Sequence, residues 1–427
     1  MMLIPSLHVH PAAHRSSKTV QFLRHSHPLA SPHPHQPTPS SSVTMVNFNA
    51  LTSAIVLSFA VSTLASPVAR ESFVTHPITK KASKSITATL AKDQARLAKY
   101  NSAASSSATV INEVDSYIAQ VKVGTQTFDL IVDTGSSNTW VGANTKFSKG
   151  STGVSTGKSV SVSYGSGSFK GTEYTDTVTL GSATVTSQSI GVASSATGFD
   201  GVDGIIGFGP VDLTEDTVSG VSTVPTFLDN LYSKGTISTE VLGVSFAPES
   251  GSDDDDANGE LTLGGTDSSK YTGSITYAPK STSSSVGPYW GVAVSAIKYG
   301  STSLGSGSGI VDTGTTLIYI PSSAYSKFLS ASGGKTDSST GLAKFTKKPT
   351  GSFSFTIGGK VLSLTPAQYL VPTAQYSNFG ISGSGYYSWI NDGGSSGVDF
   401  IIGQKFLENY YSVFDTTNSR IGFATAA

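Results

Sequence analysis

The chain has 427 residues, with 27 Lys and Arg against 28 Asp and Glu, a formal charge of −1, no cysteine and eight histidines. All eight histidines lie at or before His76, so everything downstream must do its chemistry without thiol or imidazole. That excludes Ser-His-Asp and Cys-His nucleophile systems there, and it leaves zinc without its usual nitrogen and sulfur ligands.

The near-neutral total hides two opposite parts. Residues 1–107 hold ten Lys and Arg and two acids, which leaves 17 basic and 26 acidic residues, a formal charge of −9, for the rest. Residues 1–44, with the His-Pro-rich stretch Ser31-Pro32-His33-Pro34-His35, show no globular pattern and read as a disordered or over-extended N-terminal extension. Met45 offers a second start. The apolar run from Ala50 to Ala65 that follows is shorter than the roughly 20 residues of a membrane span and ends in small residues. Residues 45–65 therefore read as a secretory signal peptide cleaved after Ala65, and not as a membrane anchor. Residues 66–107 carry Arg70, Lys80, Lys81, Lys84, Lys92, Arg96 and Lys99 against Glu71 and Asp93. A basic segment ahead of an acidic body reads as a pro-peptide that lies on a carboxylate-bearing cleft until acid weakens the attraction. The alternative is a solvated linker.

From about Ala108 the chain is rich in Ser, Thr and Gly, with short runs of Val, Ile, Tyr and Phe between turn signals, which is all-β patterning. Strands are predicted over Tyr117–Gly124, Phe128–Val132, Ser159–Tyr164 and Ser352–Gly358, and short helices over Val224–Tyr232 and Ser322–Leu329. A body of this length exceeds the size at which a single core stops growing, about 250–300 residues, so two lobes are expected, 108–285 and 286–427, divided near Ser281–Ser285. The run Asp253–Asp256 lacks the alternating spacing of a calcium loop and reads as a solvated hairpin tip.

The chemistry lies in an internal repeat. Val132-Asp133-Thr134-Gly135-Ser136-Ser137 recurs as Val311-Asp312-Thr313-Gly314-Thr315-Thr316, and each copy is followed downstream by an apolar-apolar-Gly strand, Gly204-Ile205-Ile206-Gly207 and Phe400-Ile401-Ile402-Gly403. A shared order of two motifs implies duplicated halves. Two such carboxylates brought face to face share one proton, because like charges at close range force their ionisations apart. The pair then offers an acid and a base together.

With Tyr164-Gly165-Ser166-Gly167-Ser168, Gly264–Ser274, Tyr289-Trp290 and Phe406–Asp415, these residues resemble the pepsin-like aspartic proteases, and among them the cysteine-free fungal enzymes. The resemblance covers the whole acidic part. It implies a bilobal pepsin-like fold, two β lobes related by a pseudo-two-fold axis with few short helices. It also implies a secreted, monomeric endopeptidase with an acid optimum, made as a self-activating zymogen, that takes protein and peptide substrates and pepstatin-like inhibitors. No cofactor, metal, nucleic acid or membrane enters this expectation.

On the same resemblance, Asp133 and Asp312 activate a water between them. Gly135 and Gly314 bring backbone N–H groups to the carboxylates, Ser136 and Thr315 donate to their outer oxygens, and the Thr134 and Thr313 hydroxyls bond across to the opposite loop. Tyr164 stands on a flap with Gly165, Ser166 and Gly167, its hydroxyl meeting Trp140. Ile131, Val202 and Ile205 line an apolar pocket, so bulky hydrophobic residues are expected at the cut bond. Lys99-Tyr100 resembles the Lys-Tyr of zymogens whose lysine pairs with the two carboxylates. An actin-like sugar kinase predicts long alternating helices that the pattern lacks, and a paired-carboxylate glycosidase needs sugar-binding aromatics and a defined carboxyl separation. A non-enzymatic binder on this scaffold typically loses one Asp-Thr-Gly, and both are intact here.

Overall fold

The structure is a computed structural model and describes residues 73–81, 84–101, 115–249, 251, 257–395 and 397–427. The extension 1–44, the signal segment 45–65 and the acidic run Asp253–Asp256 lie outside the described residues. Among the described residues no helix is long and apolar enough to cross a membrane.

The architecture is mostly β. A 13-stranded sheet, a seven-stranded sheet and a three-stranded sheet carry nearly all of it, and helices are short and few. The predicted strands are present as β2 (Ser116–Val123) and β3 (Gln126–Asp133), followed by Val154–Ser163 and Phe353–Ile357. The predicted helices appear as Phe227–Ser233 and Ser322–Ser332. The first is opened by a capping box in which Thr226 and Asp229 satisfy each other's backbone N–H groups. The second closes on Gly333 at φ 72°, the left-handed C-cap that only glycine adopts cheaply.

The two halves repeat one topology. β3 runs parallel to Gly204–Gly207, with Asp133 opposite Gly207, and Trp140–Val141 crosses back antiparallel to that strand. In the second half Thr302–Val311 runs parallel to Phe400–Ile402, and Ile318–Ile320 crosses back antiparallel to it. Each Asp-Thr-Gly turn thus emerges where one strand ends beside a buried apolar-apolar-Gly strand. The large sheet joins residues on both sides of Ser285, since Tyr271–Pro279 pairs with Arg420–Ala426.

The basic segment contributes two elements that its composition did not announce. Strand β1 (Val74–Lys81) lies inside the large sheet, antiparallel to Gly259–Leu263 on one side and to β2 on the other. Helix α1 (Ile86–Asn101) follows. Its Ala, Leu, Lys, Gln and Arg are strong helix formers, and the Ser85 hydroxyl accepts the Ala88 N–H at its start. Ile86, Leu90, Leu97 and Tyr100 form its buried stripe, packed into one cluster with Leu317, Tyr319, Trp389 and Ile401.

Candidate active site

The two Asp-Thr-Gly turns grip each other. Thr134 N–H donates to Thr313 Oγ1 at 2.9 Å and Thr313 N–H to Thr134 Oγ1 at 3.0 Å, while Thr134 Oγ1 donates onward to Val311 O at 3.2 Å and Thr313 Oγ1 to Val132 O at 2.9 Å. Both N–H groups and both hydroxyls of this buried crossing have partners, as burial demands. The grip also fixes how the carboxylates face each other. Asp133 accepts from Gly135 N–H at 3.0 Å and Ser136 Oγ at 2.5 Å; Asp312 accepts from Gly314 N–H at 2.8 Å and Thr315 Oγ1 at 2.5 Å. Both aspartates are fully buried.

Helix α1 lies directly over this pair. Arg96 Nη2 stands 2.8 Å from Asp133 Oδ1 and 3.0 Å from both Asp312 oxygens, Nε reaches Asp312 Oδ2 at 3.2 Å, and Tyr100 Oη donates to Asp312 Oδ2 at 3.0 Å. Burial alone would push the Asp133 carboxyl up; the Arg96 guanidinium, the Ser136 hydroxyl and the Gly135 N–H outweigh it and hold it below the ordinary carboxylate value. Burial disfavours the Arg96 charge, but the two carboxylates more than offset that and raise its pKa.

Lys99 does not take the position expected for it. Its ammonium lies over the Tyr164 ring, 5.3 Å from the centroid, and Arg96 occupies the place between the carboxylates. The helix explains the exchange: Arg96 and Tyr100 are four residues apart and share the face that looks into the cleft, whereas Lys99 is rotated toward the flap. Burial and the neighbouring Arg96 charge lower the Lys99 pKa to about 8 against the pull of Asp133 and Asp312.

Tyr164 sits at the tip of the hairpin made by Val154–Ser163 and Ser168–Leu180, closed by a bond from Tyr164 N–H to Gly167 O at 2.8 Å with Gly165 at φ 80°. A side chain on Gly165 would run into the Ala95 carbonyl, so the flap rests on α1. Ser166 is buried at the same tip. The Tyr164 and Trp140 rings stack with centroids 6.3 Å apart. The phenol and indole meet as expected in so far as Trp140 opposes the rise that burial and Asp133 impose on the Tyr164 pKa, although Oη and Nε1 fall outside strict hydrogen-bond geometry. Ile131, Val202 and Ile205 share one apolar cluster with Tyr164, Trp140, Phe169 and Phe199.

Sequence reasoning missed a second ionic cluster beneath α1. Lys80 of β1, fully buried, lies 2.8 Å from Asp115 Oδ1 and 4.0 Å from Glu408 Oε1 and donates to Gln404 Oε1; Lys405 pairs with Glu408 at 2.9 Å. On α1, Lys92 donates to Asp115 O at 2.7 Å, and Asp93 accepts the N–H groups of Thr316 at 3.1 Å and Leu317 at 2.9 Å. The basic stretch was visible in the sequence, but its partners lie as far along the chain as Glu408. Among the described residues no group of three His, Asp or Glu could hold a metal ion.

Comparison with known proteins agrees with this geometry. Residues 116–426 match the family model for eukaryotic aspartyl protease. The chain is 50% identical over 336 residues to polyporopepsin of Irpex lacteus, covering 76% of this chain and 98% of that protein. It is 31% identical over 335 residues to pepsin A of Sus scrofa, covering 73% and 81%. The crystal structure of aspartic proteinase from Irpex lacteus superposes with a TM-score of 0.72 at 46% identity, covering 83% of this chain and 98% of that one.

Proposed function

Because the chain belongs to the eukaryotic aspartyl protease family, we propose that its aspartic endopeptidase activity is produced as a secreted zymogen, with 45–65 as signal peptide, 66–107 as pro-peptide and 108–285 and 286–427 as the two lobes. The observation that carries the reading is Arg96, whose guanidinium bridges Asp133 and Asp312 where a substrate would have to sit. A guanidinium there neutralises the pair and blocks it, so the described chain is the latent form.

Once α1 leaves, one aspartate is ionised and draws a proton from a water between them. The other, protonated, polarises the scissile carbonyl. The Gly135 and Gly314 N–H groups and the Ser136 and Thr315 hydroxyls stabilise whichever carboxylate carries the charge. No covalent intermediate is needed. Tyr164 closes over the bound peptide. Ile131, Val202 and Ile205, in one apolar cluster beside the flap, favour a bulky hydrophobic residue before the cut bond.

The test is to express the chain from Met45, acidify it, sequence the new N-terminus and follow haemoglobin digestion with and without pepstatin. Self-shortening and pepstatin-sensitive digestion only after acid are expected. Full digestion at neutral pH by unshortened protein would remove the zymogen reading. Proteolysis by Asp133→Asn protein processed in trans would remove the mechanism.

A further inference from the structure

We propose that Gln404 is a positioning residue for the dyad, orienting the peptide that links Thr313 to Gly314; the proposal rests on the two-aspartate reading above. Gln404 follows directly on Gly403 at the start of the short helix Gln404–Leu407 and is fully buried. Its backbone N–H donates to Thr315 O at 2.9 Å, and its side-chain Nε2 donates to Thr313 O at 2.8 Å. One residue therefore holds two carbonyls of the second Asp-Thr-Gly turn.

The peptide bond is planar, so fixing the Thr313 oxygen fixes the direction of the Gly314 N–H on the same unit. That N–H donates to Asp312 Oδ1 at 2.8 Å. Donation to the carbonyl also polarises the peptide and makes its N–H a stronger donor, as in any hydrogen-bonded chain at low dielectric. The relay runs from Gln404 Nε2 through the peptide to Asp312. The corresponding position in the first half is Phe208, which follows Gly207 and has no side-chain donor to offer. Its carbonyl accepts from Trp290 Nε1 at 2.9 Å instead. The two loops are alike in sequence but differently supported, so the two aspartates of the pair are not equivalent. In the described form Lys80 of β1 donates to the other end of the Gln404 amide, which links the N-terminal segment to this same support.

Full-length wild type, Gln404→Met and Gln404→Glu are acidified, active sites are counted by pepstatin titration, and kcat and KM are measured across pH. Gln404→Met is isosteric but cannot donate. Its kcat per site is expected to fall by about 10- to 100-fold with KM within about threefold, and its pH profile to shift. Gln404→Glu can donate through its carboxyl proton in acid and cannot once ionised. It is expected to approach wild type at the lowest pH and to lose activity at a lower pH than wild type does. A Gln404→Met enzyme with wild-type kcat per site and an unmoved profile overturns the proposal, and so does an equal, pH-independent loss in both variants. Wild type with no pepstatin-sensitive activity after acid would overturn it together with the reading it rests on.

Discussion

Arg96 sets its Nη2 2.8 Å from Oδ1 of Asp133, with both side chains buried. Arginine does not give up its proton in any accessible pH range, so this contact opens only when a carboxylate takes one up. Removing one partner of a buried pair typically costs about 3–5 kcal/mol. Arg96→Ala is therefore expected to loosen α1 and raise the midpoint pH of N-terminal shortening by about one unit or more, at 1.36 kcal/mol per unit. Lys99→Ala removes a cation–ring contact and a longer-range attraction to the two aspartates, offset by its own burial and by Arg96, and should move the midpoint less than Arg96→Ala does. Stepwise acidification read on a gel separates the two; equal midpoints for Arg96→Ala and wild type would show that the guanidinium does not hold the segment.

The pH window follows from opposing signs. In the docked form burial raises while Arg96, Ser136 and Gly135 together lower Asp133, and burial raises while Lys80, Lys405 and Lys92 together lower Asp115. Depressed carboxylates stabilise docking above their free value, near 3.8, and lose that contribution as pH falls through the docked one. Asp93 acts the other way. Burial raises it to about 6 against Lys92 and the N–H groups of Leu317 and Thr316, with Asp115 adding to the rise. Its contribution is complete at low pH and is lost as pH rises through about 6. The segment should thus stay docked down to about pH 4 and leave below it. Asp93→Asn keeps an acceptor for the two N–H groups and removes the charge, so slower leakage at pH 6–7 with an unchanged acid midpoint is expected. Residual activity of the unprocessed protein over days is the measurement, and faster leakage would reverse the sign assigned to Asp93.

The two Asp-Thr-Gly turns were legible because their chemistry is local. Each needs a strand end, a glycine and a hydroxyl within four residues, and the apolar-apolar-Gly strands repeat that order in each half. Arg96 was missed for a different reason. Lys92, Arg96 and Tyr100 recur every four residues and all reach into the cleft, to Asp115 O, to both aspartates and to Asp312. That stripe shows only once the segment is read as a helix, and its basic composition pointed to charge and not to periodicity. Lys80 was beyond local reading altogether. A lysine buried in a sheet is intelligible only with Asp115, Gln404 and Glu408 around it, and chain folding alone brings the last two within reach.

Gly314 tests how tightly the turns are packed. A Cβ there would lie 2.5 Å from Asp133 Oδ1 and 2.7 Å from Arg96 Nη2, contacts that no real Cβ tolerates. Gly314→Ala must push the carboxylates apart, and a displacement approaching 1 Å costs about 100-fold in rate. The expected result is a folded protein whose kcat falls by that order, with circular dichroism unchanged. Wild-type turnover would mean that the two carboxylates need not be held at their observed spacing.

Glu173 predicts where stability fails as pH rises. It lies in the flap strand Ser168–Leu180, 3% exposed, and accepts the Ser189 hydroxyl at 2.5 Å. Burial raises its pKa from 4.5 to about 7, with the Ser189 bond pulling the other way. A carboxyl raised in the folded state contributes its full stability below its unfolded value and loses it as pH rises through the folded one. Over the shift cited, the loss is on the order of 3 kcal/mol, at 1.36 kcal/mol per unit. Glu173→Gln preserves an acceptor for Ser189 and never charges. Thermal unfolding should therefore match wild type at pH 4 and occur at a higher temperature at pH 8. A variant no more stable than wild type at pH 8 would show that the charged carboxylate finds other support inside the sheet, and that the alkaline weakness lies elsewhere.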